Sequence, residues 1–368
     1  MSGDAPQTRS FSFGRVLLVA VPLALVGWWA ATMYSKSLEQ DAQAKGENTI
    51  ITRLLGDGEA TTLNKAYKDA DDDLVADPPQ DADKLIAPEE INFSYVASSD
   101  TEGEDETWKE FLAALQEKTG RKVNLITYTD GGEQLRALKK GELHITAFAT
   151  GEVQSAVNDA GFVPAACFAD NDGKYHYSMK IIVPAGSDIK KLDDLRPVEK
   201  DGEITQRRIT FVRPRSNSGC TAALVMLMKE HQLQPERDYS WGFSFGHEAS
   251  IRGIAEKKFM AAAVASDMLE RMIASGEVEA DAVREIYESE PYPPGVVGYA
   301  YNLTPELRDG IRETLLGFEW AGTGLEKTYG PSGSVKFAPV SYKKDWQGVR
   351  EINRAGSDMA AKLGEPAA

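Results

Sequence analysis

Apolar and polar positions change rhythm several times along this chain. Ile91-Asn-Phe-Ser-Tyr-Val96 alternates with the period of two that predicts a half-buried strand. Thr107 to Lys118 puts Trp108, Phe111, Leu112 and Leu115 on one face at helical spacing, with Gly120 just past the end. Lys122 to Thr127 predicts a second strand, Glu133 to Lys140 a helix stopped by Gly141, and Leu143 to Phe148 a third strand. Tyr177 to Val183 predicts a long strand, and Ile189 to Leu195 a turn and short helix. A second series then begins: a strand from Ile209, a helix from Ser216, a strand at Ser240 to Phe243, a helix from Glu248 and a strand at Met260 to Val264. Strands alternating with helices over short connections predict an α/β fold with a largely parallel sheet. Two such series predict two lobes rather than one wide sheet.

The strongest local chemistry sits where the second series starts. Ile209 to Val212 is β-branched or aromatic throughout, Pro214 ends the strand, and Ala222 to Met228 is apolar and free of breakers. Between them Ser216, Asn217 and Ser218 are all good helix caps, and Gly219 allows close approach to the backbone. The first N–H groups of a helix lack internal partners and carry partial positive charge, so hydroxyls beside bare amides suit an oxyanion without any lysine. An ordinary capped strand-to-helix connection uses the same residues, so the motif alone does not choose.

Composition narrows the partners. The chain has 368 residues, 42% hydrophobic and 27% charged, with a net charge of −16. That balance argues against nucleic acid or anionic lipid as the main partner, while a helix end still outweighs a diffuse, screened field for a small anion. Cys167 and Cys220 form no zinc motif and read as buried free thiols. The four histidines, His144, His176, His231 and His247, have no partner at zinc-peptidase spacing, and no phosphate-binding Gly-Lys loop occurs; no metal or cofactor is expected.

The N-terminus speaks to location. Val16 to Ser35 is a 20-residue uncharged run between Arg15 and Lys36. At ~1.5 Å per residue it reaches ~30 Å, a bilayer core, with Trp28, Trp29 and Tyr34 at the far interface. We read residues 1–36 as a cytoplasmic stub and a transmembrane anchor, with the remainder facing outward; Ala42-Gln-Ala44 resembles a signal-peptidase site, so a cleaved signal peptide is the alternative. Ser37 to Glu90 holds fourteen acidic and five basic residues and reads as a solvated linker.

From about Ile91 onward a series of motifs follows: Leu138-Lys-Lys-Gly-Glu-Leu-His-Ile145, Ile181 to Leu195, Phe211 to Gly219, Gly246-His-Glu-Ala-Ser-Ile-Arg252, Ala263 to Leu269, Ser289 to Leu307, and Phe337 to Glu351. In their order and spacing they resemble the periplasmic phosphate/phosphite/phosphonate-binding proteins of ABC transporters, with Phe211 to Gly219 standing against the family's Asp-Pro-x-Ser-x-Ser-Gly loop. The resemblance implies a two-lobed periplasmic-binding-protein fold with hinge strands: residues 91–184 as the first part of lobe 1, 185–285 as lobe 2, and 286–368 as the return to lobe 1. It implies a small oxyanion in the cleft, an ABC transporter permease as partner, and an anchor in the inner membrane with the remainder facing the periplasm. By position, Ser216, Ser218 and the amides of Asn217 to Gly219 would hold the anion. His247 would reach it from lobe 2, Asp267 would accept a protonated oxygen or an amine, and Tyr175 or Tyr177 would supply a phenol.

Three positions depart from the family. Gly131 stands where a tyrosine often follows Thr129-Asp130, Gly295 where an acid pairs with ligand amines, and Arg213 where the loop begins with Asp. The loss at Gly295 argues against aminoalkylphosphonates. Two other readings stay open on sequence alone: a tethered sensory module without a transport role, and a hydrolase using Ser218, His247 and Asp267, although Arg215-Ser-Asn-Ser-Gly219 is not a nucleophile elbow.

Overall fold

The computed structural model describes residues 61–97, 103–200 and 202–364, together with Met33 and Leu55. The run Val16 to Ser35 lies outside the described residues apart from Met33. Among the described residues no helix is long and apolar enough to cross a membrane.

The chain lays down β1 (Glu90–Ser94), α1 (Glu104–Thr119), β2 (Lys122–Leu125), α2 (Gly131–Lys139), β3 (Ile145–Phe148), α3 (Val153–Ala160) and β4 (Phe162–Ala169). It then crosses to β5 (Met179–Pro184), a hairpin of β6 (Val198–Lys200) and β7 (Glu203–Thr205), and β8 (Arg208–Phe211). A wide turn at Asn217–Thr221 leads into α4 (Ala222–Lys229), followed by β9 (Ser240–Phe243), α5 (His247–Ala255), β10 (Ala261–Ala265), α6 (Ser266–Ala274) and β11 (Val283–Glu288). The return gives β12 (Val296–Ala300), α7 (Pro305–Gly317), α8 (Gly324–Tyr329), β13 (Lys336–Pro339), α9 (Tyr342–Asp345) and α10 (Gln347–Gly364).

These strands form two larger sheets, β13-β4-β12-β3-β1-β2 and β11-β5-β10-β8-β9. Each is mixed rather than largely parallel. The strands built from strand–helix–strand units pair parallel, β1 with β2 and β3, and β8 with β9 and β10. The strands next to the crossings pair antiparallel, β12 with β3 and β4, and β5 with β10 and β11. A chain that leaves one sheet and later returns must run up and back, which leaves β12 and β13 reversed in the first sheet and β5 reversed in the second. Because β5 belongs to the second sheet, the first crossing falls at 170–178, ahead of the boundary at 184 read from the sequence. The two crossing segments pair at a single bridge, Tyr177 with Tyr292, where each N–H donates to the other's carbonyl at 3.0 and 2.7 Å.

The amphipathic reading of α1 holds at atomic detail. Trp108, Phe111 and Leu115 are fully buried, and Trp108 and Phe111 pack on Phe93 of β1. The second sheet has its own apolar cluster of Ile182, Ile251, Ile254, Val264, Leu269 and Met272. Cys167 and Cys220 are buried and unpaired. The acidic stretch differs from a free linker over its second half. Asn64 N–H donates to the Asn158 carbonyl at 3.0 Å, Tyr67 stacks edge-on against Tyr301, Val75 and Ala76 are buried, and Ile86 bridges Leu303. Its many aspartates are spent locally: Asp69 accepts from the N–H groups of Asp73 and Leu74, and Asp77 from that of Ala70. Acidic composition therefore marks tight turns here as well as solvation.

Candidate functional site

The candidate residues of the second sheet lie beyond the carboxyl ends of neighbouring strands: the Ser216 loop after β8, His247 after β9 and Asp267 after β10. Open α/β sheets bind ligands at such ends. Ser216 caps the turn, its Oγ accepting the Gly219 N–H at 3.2 Å. The next turn is of π type, with the N–H groups of Cys220 and Thr221 both donating to the Ser216 carbonyl at 3.0 and 2.9 Å. That widening leaves the amides of Asn217 and Ser218 ahead of the first intrahelical bond, as an anion site requires. Gly219 is needed for space: a Cβ there would stand 2.6 Å from both Ser216 Oγ and the Val212 side chain.

His247 meets this loop. Its Nδ1 accepts the Ala265 N–H at 3.1 Å, which places the ring proton on Nε2, and Nε2 lies 3.5 Å from Ser216 Oγ. Burial, with the Arg213 charge as a second cause, pushes the imidazole down to about 4, so it is neutral at pH 7. Ser216 Oγ thus has two N–H groups directed at it, and its own proton is free to be donated outward. Asp267 lies in the first turn of α6 rather than at its cap, which is Ala265. Burial pushes its carboxyl up to about 6, against the lowering effect of the Met268 N–H, and Oδ1 is buried with no partner among the described residues.

Of the two tyrosines, Tyr177 joins the serine loop. Its hydroxyl accepts from Asn217 Nδ2 at 3.1 Å and bonds the Thr150 and Ser218 side chains, and burial pushes it up to about 12. Tyr175 donates instead to Asp345 Oδ2 at 2.9 Å, the oxygen that also accepts the Ser341 N–H. The structure therefore gathers Ser216, Asn217, Ser218, Gly219, His247 and Tyr177, sets Asp267 on the neighbouring strand end, and ties Tyr175 to α9. Ser218, His247 and Asp267 do not form a catalytic relay. In such a relay the imidazole donates from Nδ1 to the acid, whereas here Nδ1 is an acceptor.

Residues the sequence reading passed over complete the picture. Thr150, just past β3, brings a first-sheet hydroxyl to Tyr177 and donates to the Pro293 carbonyl at 2.9 Å. Tyr95, just past β1, is half-buried and bonds Tyr329; loss of solvent, then Tyr329 and the Asp267 charge, hold its phenol well above the usual range. Both are hydroxyls at strand ends, the signal used for Ser216 but not applied to the first series. The departures are also filled. A Cβ on Gly131 would sit 2.7 Å from Glu152 Oε1, and the same oxygen lies 3.8 Å from Arg213 across the cleft. A Cβ on Gly295 would lie 3.1 Å from the Phe148 carbonyl oxygen.

Two α/β sheets joined by paired crossing strands, with an anion-type helix start between them, define a solute-binding protein of the periplasmic type. The chain belongs to the periplasmic substrate-binding proteins of phosphonate ABC transporters, whose family model matches residues 93–346. The phosphonates-binding periplasmic protein of Escherichia coli is 22% identical over 230 residues, 62% of this chain and 66% of that protein, just under two thirds of its length. A binding protein component of an ABC phosphonate transporter from Pseudomonas aeruginosa shares the fold with a TM-score of 0.63 at 17% identity, over 76% of this chain and 90% of that one. PhnD1 from Prochlorococcus marinus, in complex with methylphosphonate, gives a TM-score of 0.59 at 14% identity, over 73% and 98%.

Proposed function

We propose that this protein binds a phosphate-like oxyanion, namely phosphate, phosphite or a phosphonate, outside the cytoplasm and hands it to an ABC transporter permease. The observation that carries the reading is Ser216: its oxygen accepts from Gly219 and faces His247 Nε2, so its proton points to a guest oxygen. The amides of Asn217 and Ser218 add two further donors, and Asp267 is positioned to accept from a guest that keeps one proton. Titration calorimetry against phosphate, phosphite, sulfate and methylphosphonate tests the reading. A hydroxyl bonded to a charged oxygen contributes ~1.5–3 kcal/mol, so Ser216→Ala weakens binding about tenfold or more. Equal affinity for parent and variant removes Ser216 from the site.

The same reading includes a tether, supported by the uncharged run Val16 to Ser35. The full-length protein is expected to stay with washed membranes. Recovery in the aqueous fraction rules the tether out.

A further inference from the structure

A cleft of about 310 Å³ opens beside the Ser216 loop, between Asp130, Gly131, Glu152 and Ser155 on the first-sheet side and Arg213 and Arg215 on the other. Its size is at the small end of ligand pockets, and it begins three residues before Ser216 in the chain. We propose that this cleft seats the organic substituent of the ligand and that the substituent ends in a carboxylate, so that the protein selects phosphonocarboxylates over aminoalkylphosphonates. The inference rests on the phosphonate reading above.

Three observations carry it. Arg213 leaves a third of its side chain exposed, and none of its N–H groups has a hydrogen-bond acceptor among the described residues; Glu152 at 3.8 Å is an ion-pair neighbour, too far for a hydrogen bond. A guanidinium has five donors in a fork that fits a carboxylate. On the opposite wall Glu152 Oε1 rests against Gly131 at the start of α2, 2.7 Å from where a Cβ would stand, so this carboxylate leans on the helix end as well as toward Arg213. That helix end adds partial positive charge to the wall. The position that would supply an acid for an amine is Gly295, and a side chain there would crowd the Phe148 carbonyl. An ammonium in this cleft would meet Arg213 as a like charge, with Glu152 already shared between Arg213 and the helix start and Asp130 accepting the Glu133 N–H as the helix cap.

Calorimetry of the whole chain with methylphosphonate, phosphonoacetate and 2-aminoethylphosphonate tests the assignment. Phosphonoacetate is expected to bind about tenfold more tightly than methylphosphonate, the yield of one charge-assisted contact, and 2-aminoethylphosphonate no better than methylphosphonate. Arg213→Gln should bring phosphonoacetate down to the level of methylphosphonate. Glu152→Gln approaches from the other wall and should widen the preference, which keeps the test sound if Arg213→Gln misfolds. Methylphosphonate binding with no gain for phosphonoacetate, or a preference for the aminated ligand, overturns the subsite while leaving the phosphonate reading intact. Failure of all three ligands overturns both.

Discussion

Alanine at Gly151 is expected to weaken ligand binding by one to two orders of magnitude while leaving both sheets folded. Gly151 follows β3, and a Cβ placed on it would lie 2.2 Å from the Arg215 carbonyl oxygen and 3.1 Å from the Asn217 nitrogen. Both obstructing atoms are backbone, so no rotamer change relieves the clash. Gly151 is not among the glycines at positive φ, so alanine suits its backbone and the conflict is one of space alone. The contact joins the end of a first-sheet strand to the serine loop of the second sheet. We propose that it forms as the two halves approach, with the crossing segments bridged at Tyr177 and Tyr292 as the hinge. Overpacking of this kind costs ~1–3 kcal/mol. Borne by the approached state, that cost is subtracted from binding, a factor of about 5 to 150 in affinity. Calorimetry should show the loss, small-angle scattering a larger radius of gyration with ligand present than for the parent, and the thermal midpoint little change. Parent-like affinity would mean that the contact plays no part in holding the guest.

How much of this was legible beforehand depends on how far apart the interacting residues lie in the chain. The face of α1, the stop at Gly120 and the capping role of Ser216 are local, and each appears in the structure as the sequence implies. The π-type widening after Ser216 is local too, yet no residue type specifies it; Gly219 within it fits under Val212 with no room for a Cβ. The partners of Tyr177 are out of reach of any periodicity argument, since Thr150, Asn217 and Tyr292 come from three separate excursions of the chain. The same holds for Glu152 and Arg213. The sequence reading identified Arg213 and Gly131 as departures, but not that one carboxylate stands beside both. The mixed sheet order was hidden for a related reason: strand periodicity gives no direction, and the crossing strands that reverse it look like any other apolar run.

Asparagine at Asp267 is expected to make the protein more stable at neutral pH and a poorer binder. In the folded chain the carboxyl titrates at about 6 because burial outweighs the helix N–H that supports it, against about 3.9 when unfolded. Its raised value favours the folded state at low pH, and that advantage disappears as pH rises through about 6. By pH 7 the ionised group costs at most about 3 kcal/mol relative to a neutral isostere, a ceiling because Asp267 keeps some solvent contact. His247 works in the other direction: its lowered value, about 4, stabilises the fold above the unfolded histidine range near 6.5 and loses that contribution as pH falls toward 4. Between pH 4 and 6 these two contributions offset one another, while His144, also held below its usual range by burial, adds a further loss of stability on acidification. Asp267→Asn removes one arm, so urea titrations of the variant should show stability falling steeply on acidification below about 6, from a neutral-pH value above the parent's. Calorimetry at pH 7 should show weaker binding of any guest that presents a proton, since an amide accepts less strongly than a carboxylate. A variant that is no more stable than the parent at pH 7, or that binds equally well, would mean that Asp267 is solvated and stands apart from the guest. The gain in stability with the loss of affinity is the signature of a buried charge kept for binding, and a mere helix-start acid would show neither.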